Sequence, residues 1–299
     1  MPSRGIITAV LTATVLSTLA IGPARAARPV KPPPNAPPAA AERPLTAEEQ
    51  AASDRKVADV AAYLASVDAS GGNLVTLSCV APNAETTDSL ATTNATTNAC
   101  TVPAGYLSVA ARDQQYGHYC GPAVGQVISN YAWAVGTTAN KYTQSKIAGW
   151  MQTDRYGYTN APELEDGLEA ATASAPRRPA GWDWVVTRLL DYDSDGVLGD
   201  QLQDFVRSNV SGSKMPLAIP VKPYDPYGKY HLSSWARPVN SPGHWIAAYG
   251  WYSYWSGNDF SRIYYTDSSR DEGGSTGQYW DPTRHLAEMM RVHTGRFVW

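Results

Sequence analysis

Residues 114–122 of the chain read Gln-Gln-Tyr-Gly-His-Tyr-Cys-Gly-Pro, and the residues that follow have helical periodicity. The apolar positions recur at the i, i+3, i+4, i+7 spacing of an amphipathic helix: Val124, Val127, Ile128 and Tyr131. Pro122 is typical of a first helical turn, where its missing N–H costs no hydrogen bond. The pattern predicts a helix that begins at or just after Cys120.

Cys120 is the first candidate for chemistry. A thiol is a good nucleophile only as its thiolate, and a helix N-terminus favours negative charge through its dipole and its free N–H groups. Gly117 and Gly121 flank the thiol and let the backbone approach a substrate closely. A buried, inert thiol is the alternative interpretation of Cys120.

A catalytic thiol needs a base, and histidine provides one at neutral pH. The chain has five histidines: His118, His231, His244, His285 and His293. His244 is the preferred base because it opens an apolar run directly after a Pro-Gly pair, at the edge between a loop and a strand. His231, in a loop rich in Tyr and Pro, is its main competitor.

The rest of the chain predicts an α+β protein. Three more helices are indicated by apolar residues at helical spacing: Ile147, Trp150 and Met151; Leu164, Leu168 and Ala171; and, after Asp200, Leu202, Phe205 and Val206. Short β-type runs between Gly, Pro and Ser clusters cover residues 216–221, 244–251 and 262–267. Helices that precede strands indicate helices on one side of an antiparallel sheet.

These motifs together resemble a known superfamily. Gln114 stands six residues before Cys120, a Gly-His-Trp-Ile stretch contains His244, and the next predicted strand ends at Asp267. Over residues 105–299 the combination resembles the papain-like cysteine peptidases. Within them it is most similar to the bacteriocin-processing (double-glycine leader) peptidase-like family, in the stand-alone form found in secreted bacterial proteins.

The resemblance implies a fold and a set of roles. The fold is papain-like, with an N-terminal catalytic helix packed on an antiparallel sheet. Cys120 is the implied nucleophile, His244 the general base, Asp267 the residue that orients the imidazole, and Gln114 a donor to the oxyanion. Other residues remain open for two of these roles: Asp259 and Asp271 as orienting groups, and Gln115 as the oxyanion donor.

The expected activity is that of a secreted cysteine peptidase. Two alternatives stay open. The first is a cell-wall peptide amidase, as in NlpC-type members of the same superfamily. The second is a catalytically inactive module that uses a surface rich in Tyr and Trp to hold a peptide or glycan; the chain has 18 Tyr and 10 Trp against 3 Phe.

The N-terminal part divides into three segments by composition. Residues 1–26 combine Arg4, an apolar run and small residues, which predicts a cleaved signal peptide, a secreted protein and no stable membrane insertion after cleavage. Residues 27–44 form a Pro-rich linker. Residues 45–102 should hold a small helix, opened by a Thr46–Glu49 capping box, and a polar, disulfide-closed loop or hairpin; residues 103–299 form the peptidase-like domain.

The three cysteines fit this division. Disulfides persist outside the cell, and Cys79 and Cys100 lie in one polar stretch where they could close a short loop. Cys120 is then the unpaired cysteine.

A possible calcium loop follows the third predicted helix. Asp191, Asp193 and Asp195, with Gly196, reproduce the first half of such a loop, but Leu202 stands where a bidentate Glu belongs. An acidic turn is the equal alternative. The spacing of Cys and His does not suit zinc, so no cofactor is expected to be required. A formal net charge of -3 gives no reason to expect a nucleic-acid partner, and a peptide or protein substrate is expected.

Overall fold

The structure is a computed structural model, and it describes residues 43–69, 74–79, 98–153, 157–189, 195–224, 229–236, 241, 243–253, 261–269 and 273–299. Within these residues the helices are α1 (Ala47–Ala69), α2 (Cys120–Ala132), α3 (Gln144–Trp150), α4 (Ala161–Thr172), α5 (Asp195–Arg207), a π-helical turn (Ser208–Ser213) and α6 (Thr283–Arg291). The strands are β1 (Leu74–Cys79), β2 (Asn98–Tyr106), β3 (Val186–Arg188), β4 (Leu217–Val221), β5 (His244–Tyr252), β6 (Arg262–Asp267), β7 (Gly277–Pro282) and β8 (Arg296–Val298).

The α+β class predicted from the sequence is confirmed, and so are its main elements. The predicted helix at Cys120 is α2, and the next three predicted helices correspond to α3, α4 and α5, although α5 begins five residues before Asp200. The predicted strands correspond to β4, β5 and β6. The sequence analysis did not predict β3, β7, β8 or α6.

One sheet of eight strands organises the described residues, and every strand pair in it is antiparallel. β5 is its central strand. β4 pairs with the first half of β5, β2 pairs with the last three residues of the same edge, and β6 pairs with the opposite edge. β7 extends the sheet beyond β6, while β8 and β3 extend it beyond β4.

Helices pack around β5 and bury it. α2 contacts β5 and also packs against α3 and α4, and α5 and α6 pack against each other and against the sheet. Eight of the nine residues of β5 are buried as a result. A strand buried in this way cannot show the alternation of a half-exposed strand, which explains its continuous apolar sequence.

The N-terminal helix α1 packs against the sheet at the end formed by β3. Its predicted capping box is present: the Thr46 N–H donates to Glu49 (2.6 Å) and the Glu49 N–H donates to the Thr46 hydroxyl (3.2 Å). Ser53 is buried in a hydrogen bond with Thr187 of β3 (2.8 Å). The boundary suggested after residue 102 falls inside β2, which pairs with both β1 and β5. Strands from both predicted segments therefore belong to one sheet.

Several sequence-based expectations fall outside the described residues. These are the signal peptide at residues 1–26, all but the last two residues of the linker at 27–44, Asp191 and Asp193 of the calcium loop, and the alternative orienting residues Asp259 and Asp271. In the part of the chain that the structure describes, no helix has the length and apolar character needed to cross a membrane.

Candidate active site

Cys120 is the first residue of α2 and is half-buried. The residue before it, Tyr119, makes no side-chain hydrogen bond that would cap the helix, and the first turn contains no acidic residue. Most helices satisfy their first N–H groups with a Ser, Thr, Asp or Asn side chain. Because α2 has no such cap, its N-terminus can stabilise an anion at the Cys120 sulfur or just beyond it.

Thr159 contacts residues at the start of α2 and at the start of β5. A Cβ on Gly121 would lie 2.5 Å from the Thr159 hydroxyl oxygen and 2.6 Å from its Cβ, so only glycine fits there. The Thr159 hydroxyl shares a hydrogen bond of 2.6 Å with Thr153, and the Thr159 carbonyl accepts one of 2.8 Å from the Trp245 indole. The residue after Cys120 and the residue after His244 are therefore held by the same threonine.

His244 lies between Cys120 and Asp267. Its Nε2 is 2.7 Å from Oδ1 of Asp267, and its ring lies close enough to Cys120 for the thiol to raise the pKa of the imidazole. Since Nε2 is engaged by the carboxylate, Nδ1 is the ring nitrogen left for the thiol. His244 is buried and Asp267 is fully buried, so water does not compete for this pair. The structure thus brings three of the four predicted catalytic residues together, with His244 between the Cys120 thiol and the Asp267 carboxylate.

The charges of the pair depend on each other. Burial alone lowers the pKa of His244, but the negative charge and hydrogen bond of Asp267, together with those of Cys120, raise it to about 10. Burial alone would raise the pKa of Asp267, but the charge of His244 and hydrogen bonds from His244, Ser234 and the Ser269 N–H outweigh it, so the pKa is lowered. The site therefore favours a carboxylate and a protonated imidazole at neutral pH.

Asp267 has further partners that the sequence analysis missed. Its Oδ2 accepts hydrogen bonds from the Ser234 hydroxyl (2.6 Å) and the Trp235 indole (3.0 Å), and its Oδ1 accepts one from the Ser269 N–H (2.7 Å). The Trp235 ring also packs against His244, with centroids 5.5 Å apart and planes at 65°. Ser234 and Trp235 follow His231 in a segment without strand or helix periodicity, so no local pattern indicated their role.

Gln114 is buried beside this group, and its rival Gln115 is exposed. The Gln114 N–H donates to the carbonyl of Ser268, the residue after Asp267 (2.9 Å). Its side-chain amide donates to the Gly117 carbonyl (3.1 Å), in the loop that leads to Cys120. An amide NH₂ has two hydrogens, so one remains for another acceptor. The contribution of Gln114 to an oxyanion stays a prediction.

The other histidines are engaged elsewhere. His231 stacks on Tyr224, with centroids 5.0 Å apart, and its ring contacts the Leu232 carbonyl. His285 stacks on Tyr230 at 3.9 Å. His118 packs edge-on against Tyr119 at 4.9 Å, and His293 is packed against Gly243. His244 is the histidine that the structure pairs with both Cys120 and a carboxylate.

The structure describes only part of the residues in the calcium prediction, and it gives only the strand register for the disulfide prediction. Asp195 is the first residue of α5, while Asp191 and Asp193 are not described, and no group of three His, Cys, Asp or Glu suited to a metal occurs among the described residues. The antiparallel pairing of β1 and β2 sets Cys79 opposite Asn98 and Cys100 opposite Leu77. The two cysteines are thus at diagonal positions of one hairpin, and their disulfide stays a prediction.

Comparison with known proteins adds no family to this picture. No protein-family model matches the chain, and no curated protein is significantly similar to it in sequence. Any function must therefore be argued from the residues and their geometry.

Proposed function

We propose that this chain is a papain-like cysteine hydrolase that cleaves amide bonds, with a peptide or protein as its substrate. The observation that carries the proposal is the position of buried His244 between Cys120 and buried Asp267. A thiol at an uncapped helix N-terminus, beside an imidazole that a carboxylate orients, has the groups that covalent acyl transfer requires. The sequence motifs around these residues support the same family.

The reaction uses these residues in two stages. The Cys120 thiolate attacks the carbonyl carbon, and the carbonyl oxygen becomes an oxyanion. His244, protonated at the start, gives its proton to the leaving nitrogen as the C–N bond breaks, which releases an amine and leaves a thioester on Cys120. His244 then takes a proton from water, the hydroxide attacks the thioester, and the carboxylic acid departs. The thiolate and the protonated imidazole are restored, so protons balance.

Two groups are suited to stabilise the oxyanion. The first N–H groups of α2 lie next to the sulfur and have no capping side chain. Gln114 has a second amide hydrogen beyond the one that it gives to Gly117. A single side-chain donor of this kind is worth about 3 kcal/mol of transition-state stabilisation.

The arrangement of elements also supports a papain-like assignment. The nucleophile lies on a helix, and the base and orienting group lie on adjacent antiparallel strands, β5 and β6. The helix packs against β5. The substrate is expected outside the cell, because residues 1–26 have the pattern of a signal peptide.

The test is the rate at which iodoacetamide alkylates Cys120 across pH, followed by mass spectrometry. We expect fast alkylation well below the pH at which an ordinary cysteine reacts, and a slower rate in His244→Ala. His285→Ala is the matched control, since His285 lies on α6 and stacks on Tyr230 instead of contacting the thiol, and its rate should equal that of the wild type. A wild-type rate that follows an ordinary thiol would refute the proposal and favour a binding module.

If the thiol is activated, substrate digestion separates the two hydrolase classes. Protein substrates cut by the wild type and left intact by Cys120→Ser support a peptidase. Release of peptides from peptidoglycan, with protein substrates left intact, supports a cell-wall amidase.

A further inference from the structure

A second buried carboxylate lies close to the candidate active site. Asp281 on β7 is 3% exposed and pairs in register with Ile263 of β6. Its Oδ2 accepts hydrogen bonds from the Tyr265 hydroxyl (2.6 Å) and the Ser233 N–H (3.0 Å), and its Oδ1 accepts one from the Ser233 hydroxyl (2.5 Å). These donors are neutral. Burying an ionised carboxylate among neutral donors costs free energy of desolvation, so Asp281 is expected to have a compensating role.

The residues that follow Ser233, namely Ser234 and Trp235, suggest a role for Asp281. Ser233 is bound to Asp281, while Ser234 and Trp235 are bound to Asp267. The carboxylates of Asp267 on β6 and Asp281 on β7 therefore accept hydrogen bonds from the three consecutive residues 233–235. Fixing Ser233 restricts the conformations open to Ser234 and Trp235, and in the structure both of their donors lie on Oδ2 of Asp267.

We propose that Asp281 is a positioning residue for the active site, which acts through Ser233 to keep Ser234 and Trp235 bound to Asp267. The inference rests on the proposed function, because its consequence is the orientation of His244. Without the two donors, Oδ2 of Asp267 is a buried anion with no partner, and Asp267 holds His244 less firmly. The imidazole is then less well placed to activate the Cys120 thiol.

Other contacts also hold this segment: the Trp235 N–H donates to the Leu232 carbonyl and the Ala236 N–H to the Gly273 carbonyl, both at 2.9 Å. The Ser234 carbonyl accepts hydrogen bonds from the Ser275 N–H (3.0 Å) and the Ser275 hydroxyl (3.1 Å). Removal of the Ser275 hydroxyl leaves the N–H contact in place. Ser275→Ala is therefore a matched control: it deletes one serine hydroxyl bonded to this segment without touching Asp281 or Asp267.

The experiment measures Cys120 alkylation by iodoacetamide from about pH 5 to 9 in full-length variants, with the native fraction checked by circular dichroism. Ser233→Ala and Asp281→Asn should slow alkylation near pH 6 about tenfold and move the acidic limb of the rate profile to higher pH. Ser233→Thr, which keeps the hydroxyl, should restore the wild-type profile, and Ser275→Ala should match the wild type. The double variant should be no slower than Asp281→Asn, because both changes break the same link.

The outcomes separate this inference from the proposed function. Wild-type rates in native Ser233→Ala and Asp281→Asn, together with a slow His244→Ala, would overturn the role of Asp281 and leave the hydrolase intact. An ordinary thiol profile in the wild type would overturn both. Should Asp281→Asn not fold, Ser233→Ala decides, because it keeps the Ser233 N–H bond to Asp281 and removes only the hydroxyl.

Discussion

His244 and Asp267 illustrate how a buried pair makes stability depend on pH. The ordinary pKa of histidine is about 6.5, and in the folded chain the pKa of His244 is raised to about 10. A raised pKa means that the folded state binds the proton more tightly than the unfolded state. The stability that His244 contributes is therefore complete below about pH 6.5 and is lost as the pH rises through about 10.

The first prediction follows from this sign. The difference in free energy of unfolding between the wild type and His244→Gln should be largest just below about pH 6.5 and fall by a few kcal/mol towards about pH 10. Urea denaturation at a series of pH values measures it. A difference that grows with pH would contradict a protonated His244 in the folded protein.

At the scale of elements, two glycines near the start of α2 allow a prediction about stability. Gly121→Ala would set a Cβ against Thr159, which cannot withdraw without losing its bonds to Thr153 and Trp245. We expect a loss of about 1–3 kcal/mol in the free energy of unfolding, and slower alkylation of Cys120 because the helix start is displaced. Gly117→Ala is the matched change in the same loop, since no atom lies within 4 Å of its added Cβ.

Chemical denaturation and Cys120 alkylation of these two variants test the prediction together. Gly117→Ala should stay within about 0.5 kcal/mol of the wild type. Equal stabilities for the two variants would mean that the contact between Gly121 and Thr159 does not constrain the helix.

The elements that the sequence predicted are those with a local signal. α2 combines a helical apolar period with Pro122 in its first turn, and β6 was predicted with the bounds that the structure shows. β3 and β8 have three residues each, too few for a period to be recognised. The contacts of Asp267 with Ser234 and Trp235 were equally hidden, because they depend on how a non-periodic segment crosses the sheet.

At the scale of the whole molecule, the sheet assembles the site from distant parts of the chain. Cys120 and His244 are far apart in sequence, and the packing of α2 on β5 brings them into contact. The motifs named three residues of the site, but only the tertiary packing shows that Asp267 is buried and that Asp281 holds the neighbouring segment. Non-local contacts of this kind produce no periodic pattern in the sequence, so they could not be predicted from it.

The β1–β2 hairpin allows a last prediction at this scale. Diagonal neighbours in an antiparallel pair lie about 7–8 Å apart, beyond the roughly 4.4–6.8 Å that a disulfide spans, so a Cys79–Cys100 bridge requires a small shift of the hairpin backbone. Cys79 and Cys100 occupy such positions, in the hairpin that β2 joins to β5. If they form a disulfide, iodoacetamide should label one thiol in the denatured, unreduced chain and three after reduction, as counted by intact mass.

Reduction should then lower the free energy of unfolding by about 3 kcal/mol, since a loop of roughly 20 residues loses its closure. The alkylation rate of Cys120 in the folded protein should stay unchanged, because the hairpin reaches the sheet at the end of β5 opposite to His244. Three labelled thiols without reduction would show that the cysteines are unpaired. A fall in the Cys120 rate on reduction would instead show that the hairpin and the candidate site are coupled through β5.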